Sequence, residues 1–185
     1  MSKTIRILGI AGSLRESSFN RGALRAAIEL APDGVVIESF DIGQLPLFNQ
    51  DREGDPPAIV TEFKQKIREA DAILFSTPEY NYSIPGVLKN AIDWASRPYG
   101  DSAWDGKPAA IMGASGGNIA TARAQYDLRK MMVFLNMFPI NKPEVMIGGA
   151  ANKFDADGNL TDETTRGFIL EMLRSLVSWT KRLSE

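Results

Sequence analysis

The run Ile5 to Ala11, IRILGIA, sets the strongest limit on how this chain folds. It is short, mostly apolar and rich in β-branched residues, as expected of a strand covered on both faces. Such strands belong to parallel sheets with helices packed on each side. The run stops at Gly12, and a helical pattern opens near Asn20 with Leu24, Ala27, Ile28 and Ala31 on one face. The alternation then repeats. Val35 to Phe40 reads as a second strand, and a helix begins near Pro57 with Val60, Phe63, Ile67 and Ala70 as its buried stripe. Ala72 to Thr77 is a third strand, followed by a helix carrying Val87, Leu88, Ala91, Ile92 and Trp94. Pro108 to Ala114 is the fourth strand, and a helix runs from about Ala120 to Leu135. Met137 to Asn141 is the fifth strand, assigned to a sheet edge because Pro139 has no N–H to donate. Thr161 is expected to cap a last helix ending near Arg182. The expectation is one α/β domain over residues 1–185, a three-layer sandwich around a five-stranded parallel sheet in the order 2-1-3-4-5.

Two residue types are missing altogether. With no cysteine and no histidine, disulfides, iron–sulfur clusters and Cys or His zinc sites are excluded. So are a Ser-His-Asp triad, a cysteine nucleophile and a histidine base. Carboxylate chemistry stays open, and any redox chemistry needs a borrowed group. The segment DADGNLTDE, Asp155 to Glu163, lacks the full calcium-loop pattern and reads as a turn, so no metal is expected. A net charge of -2 gives no basic field for nucleic acid. No apolar run approaches the ~20 residues of a membrane-spanning helix, and Met1 to Thr4 leads into the first strand without signal-peptide features. The expected setting is cytoplasmic, with no nucleic-acid partner and no integral membrane segment.

In open α/β sheets, ligands sit beyond the carboxyl ends of the strands. Three segments fall there. Gly12 to Asn20, GSLRESSFN, places Ser13, Ser17, Ser18, Asn20 and Arg15 at a helix start, where free N–H groups, hydroxyls and a guanidinium make an anion cradle. Thr77 to Gly86, TPEYNYSIPG, offers Tyr80 and Tyr82 as flat surfaces and Asn81 as donor and acceptor. Ser115, Gly116, Gly117 and Asn118 form a third small-residue turn. Taken singly, each also fits an ordinary connection. Strand 3 beside strand 1 brings the first two together, which points to a phosphorylated ring compound. The segment Ser96 to Lys107, with Tyr99 and Trp104, is either a lid or a surface loop. Residues 41–57 read as a packed surface connection.

The segments Gly12–Asn20, Thr77–Trp94 (TPEYNYSIPGVLKNAIDW), Thr121–Arg129 (TARAQYDLR) and Asn141–Glu144 (NKPE) resemble the NADPH-dependent FMN reductase family of flavodoxin-like proteins. The similarity is greatest to its bacterial NAD(P)H:quinone reductases, also called chromate reductases, and covers nearly the whole chain. The resemblance implies a flavodoxin-like fold, FMN as cofactor and NAD(P)H as electron donor. It also implies a small-molecule electron acceptor: a quinone, a flavin, an azo compound or chromate, reduced in a ping-pong cycle with the chemistry on flavin N5 and no catalytic side chain. It assigns Ser13, Arg15, Ser18 and Asn20 to the FMN phosphate, with Ser17 assisting and Leu14 and Phe19 in the same loop. Pro78, Glu79, Tyr80, Asn81 and Tyr82 would border the isoalloxazine, and Ser115, Gly116 and Gly117 would flank its other side. Family members are dimers or tetramers, which implies a homodimer or homotetramer here, with Arg123, Tyr126 and Glu144 matching inter-subunit positions. The alternative is a flavodoxin-type electron carrier without its own NAD(P)H reaction. Such carriers are usually strongly acidic, and this chain is near neutral. A phosphoacceptor signalling domain would need acids after strand 1 and an aspartate ending strand 3, where Ser13 and Thr77–Pro78 stand. Neither a Walker A loop nor a GxGxxG fingerprint is present.

Overall fold

Successive strand residues point to opposite faces, and here both faces are apolar, so the sheet needs helices on each side. The computed structural model describes residues 4–184. The start at Met1 to Lys3, expected to lead into the first strand, lies outside the described residues. In β1 (Ile5–Ala11) and β3 (Ala72–Ser76), Leu8, Ile10, Ile73 and Phe75 enter one core while Ile7, Ala72 and Leu74 enter the other. The first core is covered by α2 (Ala58–Glu69), α3 (Gly86–Ala95) and α4 (Ala122–Phe134). The second is covered by α1 (Phe19–Glu29) and α5 (Glu163–Leu183).

With β2 (Val35–Phe40), β4 (Pro108–Ala114) and β5 (Phe138–Pro139), the sheet runs β2-β1-β3-β4-β5, all pairs parallel. This is the expected order, with one addition. The edge beside β4 is shared: β5 pairs with Pro108 and Ala109, and a sixth strand, β6 (Val145–Ile147), pairs with Met112 to Ala114. The expected strand over Met137–Asn141 is therefore only two residues long. The N–H groups of Phe138 and Ile140 donate to Lys107 O and Ala109 O at 2.9 Å. The missing N–H of Pro139 falls on the outward side, where it costs no sheet hydrogen bond.

Two local readings need revision. The last helix is capped by Asp162, whose carboxylate accepts from the Thr165 N–H at 2.9 Å, while the Thr161 hydroxyl donates to Lys153 O. The Thr165 hydroxyl, which donates to the same carboxylate, chiefly holds the Asp162 carboxyl below its usual pKa, and the capping N–H bond adds to it. The segment Ser96–Lys107 is no lid over the carboxyl ends of the strands. It leads into β4 from the opposite, amino-terminal edge, and Trp104 is fully buried against Phe63 and Phe75 with Nε1 donating to Ile92 O at 3.1 Å. Among the described residues, no helix is long and apolar enough to cross a membrane.

Candidate functional site

The three loops beyond the carboxyl ends of β1, β3 and β4 meet around one cleft of about 330 Å³, lined by Ser13, Arg15, Ser18, Phe19, Asn20, Pro78, Glu79, Tyr80, Ala114, Ser115 and Gly116. Its size falls within the roughly 300–1,000 Å³ of small-molecule clefts. A wider groove of about 510 Å³ lies against α5, away from these strand ends. The cleft occupies the crevice where the strand order reverses between β1 and β3.

At one end, the chain leaves β1 and turns into α1 with its donors largely unspent. Ser18 is the N-cap, its hydroxyl oxygen accepting from the N–H of Asn20 and Arg21 at 3.2 and 3.4 Å. A hydroxyl used this way keeps its proton to donate. The hydroxyl of buried Ser13 has no hydrogen-bond partner among the described residues, nor have the backbone N–H groups of Leu14, Arg15, Ser17 and Phe19. Arg15 is exposed, donating to Ser17 O at 3.0 Å with its guanidinium 5.6 Å from the Phe19 ring centre. The first turn of α1 carries no acid. Helix dipole, amides, two hydroxyls and one guanidinium thus converge at a single place, and an anion there meets no competing carboxylate of this helix.

Asn20 lines the cleft, but its carboxamide is spent elsewhere. Its Nδ2 donates to Ala114 O at 2.9 Å and its Oδ1 accepts from Ala114 N at 2.8 Å. The Ser76 hydroxyl donates to Asn20 O at 2.9 Å. The side chain therefore ties the start of α1 to the ends of β3 and β4. Of the other expected residues, Leu14 packs over Gly43, and Ser17, Asn81, Tyr82 and Gly117 lie outside the lining of the cleft.

The second wall is strained. Asn81 and Tyr82 are both left-handed, φ 50° and 70°, and the turn they make is closed by mutual 3.0 Å hydrogen bonds between the backbones of Tyr80 and Ser83. Asparagine tolerates this conformation, whereas for tyrosine it costs about 1–2 kcal/mol. Such strain persists where the surroundings fix it. Here the Arg123 guanidinium lies 3.7 Å over the Tyr82 ring centre, and Ser83 hydrogen-bonds the Asp127 carboxylate. Lys130 chiefly, and Ser83 after it, hold that carboxyl below its usual pKa.

On the third wall, Gly117 N donates to the Ser115 hydroxyl at 3.2 Å, and Ser115 N–H and C=O bond β6 and the turn after it. A Cβ added at Gly116 would meet nothing within 4 Å, so the wall leaves room beside the cleft. An anion cradle at one end and an open slot between two loops at the other fit a phosphorylated planar compound such as FMN.

Arg21 is absent from the sequence reading, and Arg123, Tyr126 and Glu144, matched there to inter-subunit positions, also find partners within the chain. Arg21 braces the cradle from behind, donating through Nε to Ser13 O at 3.1 Å, with its guanidinium 3.7 Å from Asp41. Arg123 pairs within its own chain, with Glu79. Glu144 hydrogen-bonds Tyr126, which raises the pKa of that phenol. The Glu79 pairing left no signal in the sequence, because Thr121 is a favoured N-cap residue and only the structure shows that its side chain makes no cap.

The comparisons with known proteins agree with this geometry. The model of a family described as NADPH-dependent FMN reductase matches residues 5–152. The chain is 56% identical over 185 residues to an NAD(P)H-dependent FMN reductase of Pseudomonas aeruginosa, covering 99% of each. It is 46% identical over 182 residues to a quinone reductase of Pseudomonas putida, covering 98% of this chain and 97% of that one. Among solved structures, a flavoenzyme NAD(P)H:(acceptor) oxidoreductase from Paracoccus denitrificans superposes with a TM-score of 0.88 at 39% identity, covering 96% of this chain and 98% of that one.

Proposed function

The chain belongs to the NADPH-dependent FMN reductase family, and from that premise we propose that it is an FMN-dependent NAD(P)H oxidoreductase acting on quinones. The observation that carries this reading is the cradle of unspent donors at the start of α1, opening into the slot between the β3 and β4 loops. FMN, when bound, would supply the two-electron chemistry that links NAD(P)H to the acceptor.

The residues of the chain bind and orient. The Ser13 and Ser18 hydroxyls, the loop amides from Leu14 to Phe19 and the Arg15 guanidinium hold the phosphate, with Ser17 at the rim and Asn20 fixing the helix start. Pro78, Glu79 and Tyr80 border one side of the ring, with Asn81 and Tyr82 shaping that wall. Ser115, Gly116 and Gly117 border the other. None of these residues is assigned a proton-transfer role, so the chain acts by positioning the two reactants.

Azo compounds, free flavin and chromate as further acceptors, a ping-pong cycle and a cytoplasmic location belong to the same proposal. So does a homodimer or homotetramer. The outer face of α4 supports it, because Val133 and Phe134 are 82% and 78% exposed and Tyr126, two turns earlier on the same helix, is exposed as well.

The test is direct. The purified protein is expected to be yellow, and NADPH is expected to bleach its flavin in a stopped-flow experiment without any partner protein. Slow bleaching that needs a second protein would make it an electron carrier. A colourless protein that gains no flavin spectrum with FMN and oxidises no NADPH with a quinone would overturn the reading.

A further inference from the structure

The two walls of the slot come from different strands, the 78–83 loop from β3 and the 115–121 loop from β4, yet one carboxylate spans them. Glu79 Oε2 accepts from the backbone N–H groups of Arg123 and Ala124 at 3.0 and 3.1 Å. Its Oε1 accepts from Arg123 Nε. These bonds supply the cap that Thr121 does not give α4. The Glu79 side chain is 5% exposed, and both of its oxygens are committed to the far wall. Arg123, held by that carboxylate, covers the left-handed Tyr82. Carboxylate, guanidinium and strained ring thus form one continuous stack from the β3 loop to the start of α4.

We propose that Glu79 and Arg123 are positioning residues, a brace that fixes the distance between the two walls of the slot and so the fit of the flavin ring, independently of its phosphate. The proposal rests on the FMN reading of the cleft. An acid with both oxygens spent in this way exchanges no proton with a substrate, so its influence passes through geometry. The phosphate cradle lies between β1 and the start of α1, and among the described residues it shares no hydrogen bond with the brace.

Arg123→Ala tests the brace separately from the helix cap, because the Arg123 and Ala124 N–H groups stay available to Glu79. Two readouts apply. Amide hydrogen exchange on the flavin-free full chain is expected to speed up at Tyr80 and Ser83, whose mutual bonds close the turn, with the rest of α4 unchanged. Titration with riboflavin and with FMN is expected to show both dissociation constants raised by the same factor of about ten, leaving their ratio unchanged. Arg123→Lys should recover part of each effect, since it restores charge without the planar stack. In a Tyr82→Gly background, where the left-handed residue needs no ring to pin it, Arg123→Ala should lose most of its effect. Unchanged exchange at Tyr80 and Ser83, or unchanged riboflavin affinity in the folded variant, would overturn the brace. So would full additivity with Tyr82→Gly. If the unsubstituted chain binds neither flavin, the FMN reading falls, and the exchange comparison alone decides whether the turn is braced.

Discussion

Two regions of this molecule share a composition and differ in what their polar groups do. The 96–107 loop and the three loops of the cleft are both rich in glycine, proline or small polar residues, and both carry aromatic side chains. At the amino-terminal edge of the sheet the larger aromatic goes inward, while Tyr99 stays exposed under the Arg97 guanidinium. Trp104 fills the core, Ala103 N donates to Ala95 O, and Asp101 takes hydrogen bonds from Lys64 at 2.7 Å and Arg68 at 2.6 Å. At the carboxyl edge the aromatics Tyr80 and Tyr82 are exposed, three non-glycine residues, Asn81, Tyr82 and Ala120, are left-handed, and the Ser13 hydroxyl and a row of amides have no partner among the described residues. Parallel strands explain the asymmetry. Their carboxyl ends feed the starts of helices, where N–H groups are left over, whereas the opposite edge receives helix ends and closes them within the fold.

The comparison predicts that damage at one edge costs stability and damage at the other costs ligand. Trp104→Ala should give the largest effect, about 3–5 kcal/mol lost in urea unfolding, with the FMN affinity of the remaining folded protein unchanged. A loss below 1 kcal/mol would mean the loop is no part of the core. Arg15→Ala should raise the FMN dissociation constant about 10- to 100-fold, the worth of one charge-assisted bond, at an unchanged melting temperature. Equal affinity would remove Arg15 from the phosphate site. Ser18→Ala blurs the division on purpose, because its hydroxyl both caps α1 and faces the cleft. It should cost about 1 kcal/mol of stability and about tenfold in FMN affinity, while riboflavin binding stays the same.

The smallest effect expected is one of pH. The hydrogen bond from Lys64, and Arg68 after it, hold the Asp101 carboxyl below 3.8. A carboxylate depressed on folding contributes stability above its unfolded value and loses it as pH falls through the lowered folded one. Asp101→Asn should therefore remove part of the acid dependence below about pH 4 in urea titrations, and lower neutral stability by no more than about 1 kcal/mol because Asp101 is half exposed. An identical acid limb in the variant would show that the pair has no energetic role.

Much of this was legible in the residues. IRILGIA and AILFST read as strands covered on both faces, because both parities are apolar, and this implied the parallel sheet. The cradle was legible because Ser13, Arg15 and Ser18 act through local geometry: a helix start exposes its amides wherever it is placed. Strand β6 was not legible. VMI is too short to announce itself, and its pairing depends on the half of β4 that β5 leaves uncovered. The lid question at 96–107 was equally closed to the sequence, since a tryptophan in a loop points inward or outward according to the neighbours it meets.

What the sequence determined by itself is what depends on residues near one another in the chain: the alternation of elements, the exclusion of cysteine and histidine chemistry, and the donor-rich start of the first helix. Only the tertiary structure decided what depends on partners far apart in it. Asn20 meets Ala114 across 94 positions, and Glu79 meets Arg123 across 44. These contacts convert three ordinary loops into one cleft. Carboxamide and carboxylate side chains bond equally well to many backbones, so the chain folding around them selects which one they find.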